Sequence, residues 1–189
     1  VNKWYWACIF SSFFDNAADT KSAKSIKELN SWIKNGDIPE VFHLLSDDFN
    51  YIKKLSPQNA QYKAILNIII NNNSKDFINK GFIKESNFNR LNDHHIFPQK
   101  FLSLNGIHGN DANTILNRTI IENDTNQTIK AYAPSVYLQE HEIEDSILEA
   151  HYIPIEIKSD IFTPDNYNKF LDNRKSLIVE KIKELINIQ

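Results

Sequence analysis

Asp93-His94-His95-Ile96-Phe97-Pro98-Gln99 is the stretch on which the reading of this chain turns. Two adjacent histidines stand beside an aspartate and are followed within three residues by a proline. Neighbouring side chains of a strand face opposite ways, so both histidines serve one site only where the strand ends or turns. Pro98 is consistent with such an end, because proline cannot continue a central ladder. The pattern predicts one short strand around Asp93 to Phe97 and another around Arg118 to Glu122. A helix is expected to begin near Thr125 or Asn126 and run towards Tyr132, with Pro134 limiting it. The whole stretch from Asn89 to Glu140 is polar and irregular. A unit of strand, long loop, strand and helix buries little by itself and needs a platform.

The flanks supply one. Trp4 to Phe14 reads as a buried N-terminal helix. Ser22 or Ser25 caps a second helix carrying Ile26, Leu29 and Ile33 at helical spacing and ending before Gly36. Phe42, Leu45 and Phe49 continue that period into Tyr51, Ile52 and Leu55. Beyond Ser56-Pro57, Tyr62, Ile65, Leu66, Ile69 and Ile70 form an apolar stripe that stops at Asn71 to Ser74. Thr163-Pro164-Asp165 opens a long C-terminal helix with Phe170, Leu171, Leu177, Ile178, Ile182, Leu185 and Ile186 on one face. The expected class is α+β, mainly α: a helical scaffold over residues 1–88, a ββα unit over 89–140, and a C-terminal helical segment over 141–189 packing on the scaffold, all expected to form one compact domain.

Composition narrows the chemistry. The 189 residues hold one cysteine, Cys8, which excludes a disulfide framework and a cysteine-built zinc site and points to a reducing, cytoplasmic setting. Four scattered glycines exclude the clustered-glycine loops that cradle nucleotide phosphates. No apolar run approaches the ~18 residues of a membrane span. A chain opening at Val1 without Met is expected to be a piece of a longer protein.

The histidine segment resembles the opening of an HNH nuclease motif, the ββα-metal finger. That pattern runs Asp or His, then His-Ile-x-Pro, a loop, an Asn on the second strand, and an Asn or His on the helix. Asn117 and, nine residues on, Asn126 fill the later positions, a spacing similar to that of the HNH domain of the RNA-guided CRISPR nuclease. Trp4-Tyr5-Trp6, Asp19-Thr20-Lys21 and Pro134-Ser135-Val136-Tyr137-Leu138 extend the resemblance over most of the chain to the C-terminal half of GmrSD-type restriction proteins. Those are modification-dependent (type IV) DNA endonucleases of phage defence, with an N-terminal ParB-like nucleotide-hydrolysing domain that nothing here matches.

The resemblance implies a metal-dependent endonuclease and assigns roles residue by residue. His95 is the candidate general base, an imidazole whose ordinary pKa of about 6.5 lies close to the operating pH. His94 and Asn126 are the candidate metal ligands, and Asn117 the structural amide that ties the loop and positions His95. A register one residue earlier makes Asp93 the ligand and His94 the base. The ligand set is neutral, so the expected ion is Mg²⁺, with Mn²⁺ or Ni²⁺ as alternatives, held weakly without substrate. Lys100, Arg118 and Lys130 are candidate phosphate contacts or plain surface cations. A net charge of −3 is awkward for a DNA-binding protein and predicts weak, salt-sensitive binding, with recruitment left to the absent N-terminal domain. The alternative reading is a catalytically inactive HNH-like module for nucleic-acid or partner binding; RNA is a further candidate substrate.

Overall fold

The computed structural model describes residues 2–84, 89–159 and 162–187. It is a mainly helical α+β protein, and the sheet among the described residues has two antiparallel strands. Residues 51–178 form one compact unit, and residues 1–50 with 179–189 another. The boundaries expected at 88/89 and 140/141 both fall inside the larger unit, and residues 85–88 lie outside the described ones.

The first α-helix of the larger unit is α3 (Ala60–Ile70), which follows in sequence α1 (Asn2–Phe10) and α2 (Ala18–Asn35) of the smaller unit. Tyr62, Ile65, Ile69 and Ile70 are buried, as the helical spacing requires. The Ser74 hydroxyl donates to the Ile69 carbonyl (2.6 Å), satisfying one of the last-turn acceptors that a helix end leaves open. Strands β1 (Leu91–His95) and β2 (Arg118–Glu122) pair with Leu91 opposite Glu122 and His95 opposite Arg118. A lone two-stranded ladder is marginal in water. Here Ile120 of β2 packs with Ile70 and Ile83, flanked by Leu66 and Leu91, so α3 is the platform.

The first strand stops two residues before the expected Phe97. The Ile96 N–H keeps the register with the Asn117 carbonyl (2.9 Å), but the Asn117 N–H turns back to the Thr114 carbonyl (2.9 Å) and the Phe97 N–H to the Asn117 side chain, which ends the ladder. The connection between the strands is itself largely helical, with α4 (Gln99–Leu104), α5 (Gly109–Asn113) and a 3-10 turn over Ile115–Asn117. Asn117 therefore precedes β2 instead of lying on it. Helix α6 (Asn123–Ile129) begins before Thr125, so Asn126 sits in its middle. Asp76, distant in sequence, braces that start: its carboxylate accepts the Glu122 N–H (2.8 Å) and the Thr125 hydroxyl (2.5 Å). Pro134 does not limit α6. It opens α7 (Pro134–Glu140), where its missing N–H costs nothing. Helix α8 (Asp145–Ala150) follows, and α9 (Pro164–Ile186) starts at the predicted Thr163-Pro164 signal, the Thr163 hydroxyl accepting the Asn166 N–H (3.0 Å).

In the smaller unit, Ala7, Cys8, Phe13 and Val41 form a core flanked by Trp4, Phe14, Phe42 and Leu45. Helix α2 ends at Gly36 (φ +81°), whose N–H bonds the Trp32 carbonyl, in the left-handed conformation that glycine tolerates best. It starts at Ala18, not at Ser22 or Ser25, and Ser25 is buried mid-helix. The expected apolar stripe is not a core face, since Ile26 and Ile33 are exposed. Phe42 lies in a short 3-10 turn (Glu40–Leu44), and Ile52, at the start of the larger unit, in another (Asn50–Lys54), instead of continuing an α-helix.

Candidate functional site

His94, His95 and Asn126 line one open groove of about 250 Å³ together with Asp93, Pro98, Gln99, Lys100 and Lys130. Strand β1 ends at His95, which is how adjacent histidines reach one concavity. His94 points from β1 onto α6, and its Nδ1 lies 2.6 Å from Asn126 Oδ1. The imidazole is buried beside Phe77 and Tyr137, edge-to-face with both rings. Burial is the main cause that holds its pKa down to about 4, with the Asn126 hydrogen bond opposing it. His94 is therefore neutral at pH 7, as a metal ligand must be.

His95 is partly exposed and its pKa is also lowered, chiefly by burial and then by the Arg118 charge. Its Nε2 meets Asn113 Oδ1 at 2.9 Å. The Asn113 amide is oriented by its own Nδ2 donating to the Gly109 carbonyl (2.9 Å), and its oxygen also accepts Gln99 Nε2 (2.5 Å). Because that oxygen only accepts, the proton sits on His95 Nε2 and the lone pair on Nδ1. A neutral imidazole with a fixed tautomer and a free lone pair is what a general base requires.

Asn117 is fully buried and knots the loop. Its Oδ1 accepts the Phe97 N–H (2.8 Å), while Nδ2 donates to the carbonyls of Phe97 (3.0 Å) and Ala112 (2.9 Å). The buried Tyr137 hydroxyl donates to the Ile96 carbonyl (2.9 Å), so residues 96 and 97, immediately after His95, are pinned from two elements. Arg174 of α9, also fully buried, donates to the carbonyls of Leu116 (3.0 Å), His151 (3.1 Å) and Tyr152 (3.2 Å). It thereby fixes the residue before Asn117.

Asp93 also lines the groove, but its carboxylate is engaged by Tyr62 and Arg118. One carboxylate oxygen accepts the Tyr62 hydroxyl (2.6 Å), and the other lies 3.5 Å from the Arg118 guanidinium, which also donates to the Asp93 carbonyl (3.0 Å). The side chain that meets Asn126 is His94, and Arg118 is engaged by Asp93.

Among the described residues there is no group of three or more His, Cys, Asp or Glu arranged to hold a metal ion. The donor pair of His94 and Asn126 lies below that count. Two neighbouring ligands of an octahedral ion at ~2.1 Å stand ~3.0 Å apart. The 2.6 Å pair would therefore have to open by a few tenths of an ångström, and the proton that His94 Nδ1 donates to Asn126 Oδ1 would have to move to Nε2. His94 Nε2 is buried without a hydrogen-bond partner. A metal-bound histidine normally donates its other N–H to a carboxylate or carbonyl. The pair offers two neutral donors that could hold a divalent cation, and the missing outer partner and the lack of charge would make such a site weak in the absence of substrate.

Asp76, Asn113, Tyr137 and Arg174 were not legible as site residues. Asn113 stands four residues before Asn117, the only local signal available, while the other three act across long sequence separations.

No helix among the described residues is long and apolar enough to cross a membrane. The chain is 34% identical over 218 aligned residues to the uncharacterized protein MJ0686 of Methanocaldococcus jannaschii, an alignment that covers 99% of this chain and 37% of that protein. The chain thus spans little more than a third of the length of the curated relative it matches. No family profile matches the chain, and no solved structure matches it.

Proposed function

We propose that this chain is the HNH-type nuclease part of a longer cytoplasmic defence protein, hydrolysing phosphodiester bonds of DNA with one divalent metal ion. The observation that carries the reading is the meeting of His94 Nδ1 and Asn126 Oδ1 at 2.6 Å in the groove that His95 lines, with the His95 tautomer set by Asn113. His94 and Asn126 would hold the ion, Mg²⁺ or Mn²⁺. When bound, it supplies Lewis-acid stabilisation of the phosphorane charge and of the departing 3′ oxygen.

His95 takes the proton of the attacking water on Nδ1, its Nε2–H remaining on Asn113. Asn117 keeps the segment after His95 rigid, so the imidazole meets the water without reorganising. The groove is open and polar, which suits a strand of nucleic acid better than an enclosed small molecule. Sensing of the modified base and nucleotide hydrolysis belong to a ParB-like domain outside this chain. A single buried cysteine suits the reducing cytoplasm in which phage DNA is met.

The test is nicking of supercoiled plasmid with Mg²⁺ or Mn²⁺ by the wild type and by His95→Ala. The wild type relaxes the plasmid, and His95→Ala loses at least the ~10²-fold that a general base contributes. Intact plasmid with every metal tried, or equal rates in the two proteins, refutes the assignment.

A further inference from the structure

Helix α6 carries Asn126 and ends at the buried Ile129. The next residue, Lys130, adopts φ +55° and ψ −129°. An L side chain rarely occupies that combination, because its Cβ crowds the backbone; glycine reaches it freely. It differs from Ala17, which at φ +55° and ψ +44° sits in the ordinary left-handed basin. Strain of this kind persists where the surrounding structure imposes it, and it gathers at functional sites. Packing does not explain why a lysine stands here, since Lys130 is exposed. Nor does an ion pair: among the described residues its ammonium meets no carboxylate, whereas Lys80, also at positive φ and exposed, pairs with Glu144.

What distinguishes Lys130 is its place, one helical turn beyond Asn126 and on the wall of the groove that holds His94 and His95. Of the three cations near the motif, Arg118 is taken by Asp93, which leaves Lys100 and Lys130 facing the groove.

Resting on the nuclease reading above, we propose that Lys130 grips a backbone phosphate of the DNA strand seated in the groove, and that the chain keeps it in a glycine-type conformation to aim its ammonium there. The ligand is the phosphodiester, so the contact carries no sequence preference.

The experiment compares wild type, Lys130→Ala, Lys130→Gly and Lys130→Arg. Fluorescence anisotropy on a short labelled duplex without divalent metal gives affinity against salt, and thermal melting gives stability. Removing one phosphate contact lowers the slope of log K against log salt by ~0.9, which corresponds to roughly eightfold weaker binding at 0.1 M salt. Lys130→Ala and Lys130→Gly both show that loss, and Lys130→Arg retains the wild-type slope. Because alanine keeps the strain and glycine relieves it, Lys130→Gly melts higher than Lys130→Ala by roughly 2 °C or more.

An unchanged slope in Lys130→Ala, with a wild type that binds and cuts DNA, overturns this inference and leaves the nuclease reading standing. Equal melting of the glycine and alanine variants overturns the strain argument. A wild type that binds no duplex even at roughly 10⁻⁴ M, the weak end of non-specific binding, overturns the phosphate grip. A wild type that binds with the predicted slopes but cuts with no metal sinks the nuclease reading alone.

Discussion

Asn117→Ala gives a quantitative handle on how the site is held. The side chain is fully buried and makes three hydrogen bonds, all to backbone groups of residues 97 and 112. Alanine leaves one N–H and two carbonyls without partners in the interior, each costing ~1–3 kcal/mol, with carbonyls at the low end because a second lone pair softens their loss. The expected destabilisation is about 3–6 kcal/mol. For a chain of this size that corresponds to a fall in Tm of order 10 °C or more.

The comparator is Asn105→Ala, which removes one exposed local bond to the Phe101 carbonyl and should stay within ~0.5 kcal/mol of wild type. Urea unfolding followed by far-UV circular dichroism suits the measurement better than tryptophan fluorescence. Trp4, Trp6 and Trp32 all lie in the smaller unit, whereas Asn117 belongs to the larger one. A loss below ~1 kcal/mol, indistinguishable from the Asn105 variant, refutes the claim that Asn117 knots the loop behind His95.

Other consequences can be checked alongside. Asn113→Ala should slow cleavage by roughly fivefold to tenfold, the worth of one hydrogen bond that fixes the His95 tautomer, with little change in Tm; Asn113→Asp, which keeps an acceptor oxygen, should recover most of the rate, and equal rates in all three proteins would remove Asn113 from the account. Stability should fall with acid through His151, whose pKa burial lowers to about 4 from the usual 6.5. Above pH 6.5 this group costs nothing; between pH 6.5 and 4 the unfolded chain takes up a proton that the folded one refuses, a loss of about 3 kcal/mol by pH 4. His94, lowered for the same reason, adds in the same direction. Urea midpoints that stay flat from pH 7 to pH 4.5 would contradict this reading of the buried imidazoles.

The parts of the fold that came through in the sequence are those set by local pattern. The stripe of α3, the glycine stop of α2, the Thr163-Pro164 start of α9 and the two strands all follow from residue spacing and backbone chemistry. What escaped was set by distant partners. Asp76 braces the start of α6 from a loop more than forty residues away, a carboxylate that no local signal announces. The ladder ends after Ile96 because the Tyr137 hydroxyl takes the Ile96 carbonyl and the Asn117 side chain takes the Phe97 N–H, although both residues are good strand formers. The exposed Ile26 and Ile33 show the opposite failure, since periodicity predicts a face but not what covers it.

At the site, His94, His95 and Asn126 were marked by the order of the motif. The tautomer-setting Asn113 and the buried Arg174 emerge only once hydrogen bonds can be counted.

The most direct test of the central claim is a single-turnover cleavage assay on end-labelled duplex DNA in Mn²⁺, comparing wild type with His95→Ala at matched stability. The account predicts products ending in 3′-hydroxyl and 5′-phosphate, with the variant at least ~10²-fold slower. Wild-type and His95→Ala proteins cutting at the same rate, or neither cutting at all, would contradict it.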